Sequence, residues 1–482
     1  MFDIRPVLFI NGVMLLILAA AMGIPLASDV LARGGEWRAF AAAMAWTAFI
    51  GAALALSGQG QALVALATRQ AFLCAASGGI LVGLFAALPF ILGSRHLSVT
   101  DAVFEAVSGI TTTGATVITG LDHTPHAILL WRALLQWLGG AGVIVAAVAL
   151  LPMLRIGGMQ LFRMESSDRR DQVAPRLPRL AWKLVLAYGL LTGLLAIALG
   201  GAGMTGLEAA CHAMSALSTG GFSTSDQSLA KFGDAARWLC VLGMLAGGIN
   251  FAFFISLWRR QGAIRVGDSQ IRWYLWTALA FTLLLTFWNW AKGDMAAYEA
   301  FRQSAFNAVS ILTTTGFHTA DYDRWGGFPQ VAFFLMSFIG GCTGSAAGGI
   351  KVFRFEVLFA TASVHVRRLL HPHGVFPLAF NHVRLSEGVM RSVLGFVMLY
   401  LCCFAGLAVA LTMVGLDLLS GLSAAAAALG NVGPGLGPLL GPGGSYRALP
   451  DVAKWLLSFG MLLGRLELAP LLLLFTATFW KD

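Results

Sequence analysis

The chain has 482 residues, of which 58% are hydrophobic and 11% are charged, and its formal net charge is +9. Soluble domains carry roughly 25% charged residues, so this composition excludes a water-soluble protein and equally a disordered or collagen-like one. The mean hydropathy is +0.77, and apolar runs of about twenty residues recur, which is the length a helix needs to cross a bilayer. We therefore predict an all-α, multi-pass membrane protein.

Two apolar spans open the chain, from Val7 to about Ala27 and from about Ala39 to Ala67. The first is too long for a secretion signal, and Asp3 balances Arg5 in the segment before it. Because the second span follows directly, we expect a retained pair of membrane helices. Residues 1–67 are thus predicted to form an N-terminal helix pair.

A short pattern ending in a turn and a glycine occurs four times in the rest of the chain. Its copies cover residues 104–116, 211–224, 306–319 and 424–435, and their common glycines are Gly114, Gly221, Gly316 and Gly433. Each copy lies between two long apolar spans, and the later span carries a glycine pair or its remnant: Gly139-Gly140, Gly247-Gly248, Gly340-Gly341 and Gly464-Arg465. Internal repetition of this kind indicates four copies of one structural unit.

The unit reads as helix, short pore helix, loop and helix. Each pore segment has about ten to fourteen residues, too few to span a bilayer at 1.5 Å per residue. Irregular backbone at that depth survives only inside protein or along a water-filled path. The predicted repeats are 68–155, 156–262, 263–375 and 376–482.

Four re-entrant loops in one chain can surround a single axis and present backbone carbonyls to it. A ring of carbonyls replaces the hydration shell of a monovalent cation, as in the TVGYG loops of potassium channels, and Thr112 to Thr116 keep the Thr-x-Gly centre. Glycine suits the turn because it permits backbone angles that a side chain disfavours. A single copy would equally fit close helix packing in membranes, but four copies in register favour a selectivity filter.

The motifs together resemble the Trk/Ktr/HKT superfamily of potassium transporters, and above all its TrkH branch, which has an additional N-terminal helix pair. The resemblance covers nearly the whole chain. It is carried by Ile110 to Val117, Ser215 to Asp226, Ser310 to Tyr322, Gly340 to Val352, Asn431 to Gly435 and Gly464 to Glu467.

The resemblance implies that backbone oxygens next to the common glycines coordinate K⁺, and that the chain itself holds no cofactor. The implied filter residues are Thr112, Thr113, Gly114, Thr219, Gly220, Gly221, Thr314, Thr315, Gly316, Asn431, Val432 and Gly433. In plant relatives a serine at the first glycine accompanies sodium transport, so Gly114 favours potassium. Two positions depart from the pattern: Asn431-Val432 replaces threonines, and His318 stands where a small residue is expected. We interpret His318 as a vestibule residue rather than a proton carrier.

Five glycines fall within ten positions from Gly340 to Gly349. A continuous helix would lose roughly 0.8–1 kcal/mol per glycine relative to alanine, so we predict a break in the helix, with close GxxxG-type packing as the alternative. The resemblance places an intramembrane gating loop here. Its implied residues are Gly340, Gly341, Gly344, Ser345, Gly348, Gly349 and Lys351.

Arg465 is a cation within an apolar span. Charges at membrane depth face a cavity or a partner, and Glu467, two residues away on a helix, points to a different face. We favour the pore-lining role below the filter that the resemblance implies. The alternative is an ion pair with an acid on a neighbouring helix.

Charge counting predicts the orientation. The side away from the filters carries 20 basic and 8 acidic residues and the filter side 11 and 14, with Asp101, Glu105, Asp122 and Asp226 among its acids. The positive-inside rule places the filters outward, where an acidic mouth would concentrate cations. The basic charge thus reflects membrane orientation rather than nucleic-acid binding.

Potassium uptake across a bacterial inner membrane is the predicted function. The resemblance further implies a homodimer and a cytoplasmic ring of nucleotide-binding regulatory subunits, TrkA; the basic segments 154–180 and 354–391 are long enough to dock it. This chain carries no GxxxxGK[ST] motif of its own. Alternatives are a carrier coupled to H⁺ or Na⁺, a sodium-permeable relative and, more remotely, a membrane enzyme.

Overall fold

A computed structural model describes residues 3–59, 67–149, 177–258, 268–293, 295–377, 379–380 and 383–480. These residues are helical apart from loops and one small antiparallel hairpin, which pairs Ala379–Phe380 with Val383–Arg384. Within the described ranges, seven helices are long and apolar enough to cross a membrane, and an eighth span arises if one bent pair counts as a unit. The protein is an all-α, multi-pass membrane protein, as the composition predicts.

The helices fall into an N-terminal pair and four successive groups. In chain order they are α1 (Arg5–Leu31), α2 (Trp37–Ser57), α3 (Thr68–Ala86), α4 (Leu88–Leu92), α5 (Val99–Ile110), α6 (His126–Ala149), α7 (Leu177–Gly201), α8 (Gly206–Leu217), α9 (Asp234–Gly247), α10 (Phe251–Trp258), α11 (Ser269–Ala291), α12 (Ala297–Leu312), α13 (Gly327–Ile339), α14 (Val352–Leu370), α15 (Glu387–Met413), α16 (Leu418–Gly430), α17 (Asp451–Arg465), α18 (Ala469–Leu474) and α19 (Ala477–Trp480).

The four groups repeat the order outer helix, pore helix, loop and inner helix. The pore helices are α5, α8, α12 and α16, with 12, 12, 16 and 13 residues, which is too short to cross a bilayer. Three of the four N-termini are capped by a side chain: Ser98, Thr205 and Asp417 each accept a backbone N–H from the first turn of α5, α8 and α16. The predicted repeat boundaries at 155/156 and 262/263 lie outside the described residues.

The N-terminal pair packs through small residues. A β-carbon on Gly12 of α1 would overlap the backbone of Gly51 and Ala55 on α2, so the two helices approach at backbone distance, as membrane helices with small interfacial residues do. Asn11 of α1 donates to Ser77 of α3 at 2.7 Å. This bond ties the pair to the first repeat.

The inner helix of the second repeat, a long apolar span in the sequence, is sharply bent at its glycine pair Gly247-Gly248. Helices α9 and α10 meet at 97°. The carbonyls of Gly247 and Gly248 accept the N–H groups of Ala346 and Cys342 instead of continuing the helix, and the Asn250 side chain caps Ala252. Long-range bonds therefore replace the local ladder at this point.

The inner helices of the third and fourth repeats are interrupted as well. In the third, α13 ends at Ile339 and α14 begins at Val352, so the break predicted from the glycine run is present. In the fourth, α17 ends at Arg465, and Glu467 and Leu468 adopt φ of +56° and +65° before α18. Left-handed conformations of non-glycine residues are disfavoured, so the contacts around these two residues must hold them there.

Candidate functional site: four loops around one axis

Each pore helix ends three or four residues before a common glycine, and the same backbone bond anchors all four loops. The N–H before the glycine donates to the carbonyl five residues earlier in the pore helix. The four bonds join Thr113 to Ser108, Gly220 to Ser215 and Thr315 to Ser310 at 2.8 Å, and Val432 to Ala427 at 2.9 Å. Local chain geometry therefore shapes each loop independently.

All four loops also repeat the same unusual backbone angles. The residue two before the glycine is left-handed in every copy: φ is +52° at Thr112 and Thr219, +59° at Thr314 and +53° at Asn431. The glycines themselves have φ of +85°, +81°, +86° and +101°, where a side chain would be strained. Asn431 thus keeps the conformation of the threonines it replaces, since asparagine tolerates this region well.

The loops close into a ring through these glycines. A β-carbon on each one would overlap the carbonyl oxygen that precedes the glycine of the next loop. The overlaps are Gly114 with Gly220, Gly221 with Thr315, Gly316 with Val432, and Gly433 with Thr113. The sequence therefore predicted a set of residues that the fold brings together, in cyclic order, around one axis.

The ring suits a cation. The C-terminal ends of α5, α8, α12 and α16 all approach it, and a helix C-terminus carries roughly half a negative elementary charge. Preformed carbonyls and four helix ends can stabilise a dehydrated monovalent ion without any buried acid at the ring.

A cavity of about 260 Å³ opens on one side of the ring and receives residues from all four loops. Thr116, Asp226, His318 and Tyr446 are among its lining residues, and the Tyr446 hydroxyl donates to the Gly433 carbonyl at 2.8 Å. His318 therefore lies in the vestibule, where the sequence analysis places it. Its own N–H donates to Ser228.

In each repeat, one pore-helix side chain forms a hydrogen bond with the segment that follows the common glycine. The sequence analysis did not predict these bonds. Three of the four stand nine residues before the glycine: Glu105 accepts from Thr116, His212 bonds Ser223 at 3.0 Å, and Asn307 bonds Thr319. Ala424 occupies this position in the fourth repeat, and Ser423 bonds both backbone groups of Leu436 instead. Aligning the copies on the glycine would have revealed three polar residues in register.

Glu105 is not part of an acidic mouth, contrary to the charge-count interpretation. It is fully buried and pairs with Arg132 of α6 at 2.7 Å. The Arg132 guanidinium also donates hydrogen bonds to the Ser223 carbonyl at 2.9 Å and to the Thr116 hydroxyl at 3.1 Å. One turn further along α6, Gln136 donates to the Gly220 carbonyl and accepts from Ser215 and Phe222.

The segment between α13 and α14, residues 340–351, lies directly against the other side of the ring. Gly348 donates to the Thr314 hydroxyl at 2.7 Å, and Gly349 donates to the Gly430 carbonyl at 2.9 Å. A β-carbon on Gly348 would overlap the Gly430 carbonyl. This loop therefore packs directly against the ring on the side away from the vestibule.

Among the residues that the structure describes, Arg465 contacts this loop and not an acid. Its guanidinium donates to the carbonyls of Ala346 in the loop at 2.8 Å and of Gly139 in α6 at 3.3 Å. Within the described ranges, the ion-pair alternative therefore finds no acidic partner for Arg465. Lys351, at the end of the loop with φ of +79°, donates to the Ala347 carbonyl.

Glu467 pairs instead with Arg354 of α14, at 2.6 Å and with the arginine fully buried. The Arg354 guanidinium also lies 3.6 Å from the centre of the Phe396 ring. This pair joins the interrupted inner helix of the fourth repeat to the helix that leaves the loop.

Arg354→Met is expected to destabilise the protein by about 3–5 kcal/mol, because it leaves Glu467 buried and uncompensated. Thermal unfolding of the purified protein in detergent measures this. Arg391→Met is the matched control on the neighbouring helix: its pair with Glu387 is exposed, so about 1 kcal/mol or less is expected. Equal shifts for the two variants would contradict the assignment.

The fold and the loop ring together define a membrane protein of the pore-loop class, with four internal repeats in one chain. A family model described as TrkH, cation transport protein, matches residues 37–482. The chain belongs to this TrkH family.

Relatives match over their full length. The Trk system potassium uptake protein TrkI of Halomonas elongata is 40% identical over 479 residues, covering 99% of this chain and 97% of that protein. The Trk system potassium uptake protein TrkH of Escherichia coli is 36% identical over 484 residues, covering 99% of each. The crystal structure of the potassium transporter TrkH from Vibrio parahaemolyticus matches with a TM-score of 0.92 at 35% identity, over 100% of both chains. The family predicted from the motifs is confirmed.

Proposed function

We propose that this chain takes up potassium across a bacterial inner membrane, through the ring of four loops and with the vestibule facing outward. The observation that carries the proposal is the cyclic closure of the ring, in which each glycine abuts the carbonyl before the next. Such a ring presents backbone oxygens in one layer, which is how a potassium filter replaces water around the ion. The relatives named as potassium uptake proteins support the choice of ion.

Gating is proposed to reside in residues 340–351 and Arg465. The loop lies under the ring, held by Thr314, Gly430 and Arg465, so an ion leaving the filter meets the backbone of this loop. Its bonds to Gly247 and Gly248 attach it to the bend between α9 and α10. A homodimer with a nucleotide-binding regulatory ring of the TrkA type on the inner face would act on these elements.

The experiment is a reversal-potential measurement on the purified chain in planar bilayers, with potassium, sodium and pH varied separately. A potential that follows the potassium gradient alone supports a potassium pathway. A potential that follows sodium would favour the sodium-permeable alternative. A dependence on the proton or sodium gradient with fixed stoichiometry would favour a coupled carrier.

His318 provides a pH prediction. Burial lowers the pKa of His318 to about 4, against an opposing effect of Asp321, so the imidazole is neutral throughout the neutral range and roughly 1% charged at pH 6. Rubidium uptake by proteoliposomes is expected to stay constant between pH 8 and pH 6, and His318→Gln to match it. Uptake that rises with acidity in the wild type and not in the variant would make His318 a proton carrier.

A further inference from the structure

The inner-helix residue that can form hydrogen bonds to the filter loops differs among the four repeats. Arg132 lies seven residues before Gly139, and the residues seven before Gly247, Gly340 and Gly464 are Cys240, Phe333 and Leu457. None of these three offers a charged, forked donor. Of these four equivalent inner-helix positions, only the first therefore carries a guanidinium.

The guanidinium bridges equivalent points of two loops. Thr116 and Ser223 each stand two residues beyond their common glycines, Gly114 and Gly221. The Arg132 guanidinium donates to the Thr116 hydroxyl, to the Ser223 carbonyl and to the Glu105 carboxylate. Glu105 also accepts hydrogen bonds from the Thr116 hydroxyl and the Val117 N–H. Arginine is suited to this because its planar fork fixes two acceptors at a set separation.

The other three pore-helix supports act within one loop and are neutral. His212 reaches Ser223, Asn307 reaches Thr319 and Ser423 reaches Leu436, each in the loop that follows its own helix. Hydrogen bonds to charged groups contribute more free energy than hydrogen bonds between neutral groups. The spacing between the first and second loops is therefore set by a buried, charge-assisted bridge.

We propose that Glu105 and Arg132 are positioning residues for ion selectivity, which hold the first two loops at the separation that favours potassium over sodium. This rests on the proposed function. Both side chains lie beside the loops: Glu105 is fully buried, and Arg132, which also lines the vestibule, is 1% exposed. They act by preventing the carbonyls of the ring from closing around a smaller ion.

The test compares two charge removals on the same pore helix. Glu105→Gln keeps the shape of the support and removes its charge. Asp101→Asn does the same one turn earlier, where Asp101 pairs with buried Lys454 at 2.6 Å at the far end of the helix. Both variants lose a partly or fully buried ion pair, but only Glu105 bonds the loop beyond the filter.

Bi-ionic reversal potentials are the readout, with total rubidium uptake beside them. Glu105→Gln and Arg132→Lys are each expected to lower the potassium-to-sodium permeability ratio by about tenfold, which is the scale of a lost charge-assisted hydrogen bond, while Asp101→Asn retains the wild-type ratio. Arg132→Lys separates geometry from charge, because lysine keeps the charge and loses the fork. Wild-type ratios in both Glu105→Gln and Arg132→Lys would overturn the proposal.

Thr116→Val covers the case in which those variants do not fold. It removes only the hydroxyl that contacts Glu105 and Arg132, at nearly constant volume. A lowered ratio supports the proposal and an unchanged ratio overturns it. A wild-type protein that does not discriminate potassium from sodium would instead reject the proposed function, so the two failures are distinguishable.

Discussion

Gly114→Ser is expected to lower the potassium-to-sodium permeability ratio at least tenfold. The added β-carbon would overlap the Gly220 carbonyl, and the residue must keep φ of +85°. A left-handed conformation costs an L-residue about 1–2 kcal/mol, and roughly 1.4 kcal/mol corresponds to a factor of ten. The ring therefore relaxes, and its carbonyls no longer hold one fixed radius.

Gly206→Ser is the control for that variant. Gly206 is an exposed residue at the start of α8, and a β-carbon there would meet no other atom within 4 Å. Its reversal potential is expected to equal that of the wild type. Equal ratios in Gly114→Ser and the wild type would show that Gly114 does not belong to the filter.

Arg465→Ala is expected to raise rubidium uptake severalfold while thermal stability changes little. The side chain donates to the Ala346 carbonyl in the loop under the ring and to Gly139, so its removal releases the loop. Glu467, the nearest acid in sequence, keeps Arg354 as its partner. Faster uptake in a stable protein supports a gating role, and slower uptake would contradict it.

Arg465→Lys distinguishes two possible causes of the higher rubidium uptake in Arg465→Ala: loss of the contact with the loop and loss of the positive charge. A positive charge near the axis repels the permeating cation, and lysine preserves that charge. The forked contact with two carbonyls is lost in lysine. Uptake close to that of Arg465→Ala would assign the effect to the tether, and uptake close to the wild type would assign it to the charge.

The parts of the site that sequence predicted are those shaped by local chain geometry. The Thr-Thr-Gly turn at Thr112 to Gly114 needs only a short pore helix and a residue without a side chain, so four copies reveal it. The break after Ile339 follows from five glycines in ten positions, since glycine weakens any helix wherever it packs.

The parts that sequence missed depend on partners distant in the chain. Glu105 looked like a surface acid because its partner Arg132 is 27 residues away and on another helix. The bend after Gly247 arises from bonds to Cys342 and Ala346, almost a hundred residues later. Arg465 contacts two backbone carbonyls, in the loop under the ring and in α6, and nothing local in the sequence indicated those partners.

The most direct test of the central claim is the position of a heavy cation in the protein. Crystals grown with Rb⁺ or Tl⁺ would be measured for anomalous scattering. We predict a peak on the axis between the carbonyls of Thr113, Gly220, Thr315 and Val432, which would disappear when Na⁺ replaces the heavy ion. A peak confined to the vestibule around Asp226 and His318, with none at the ring, would contradict the account.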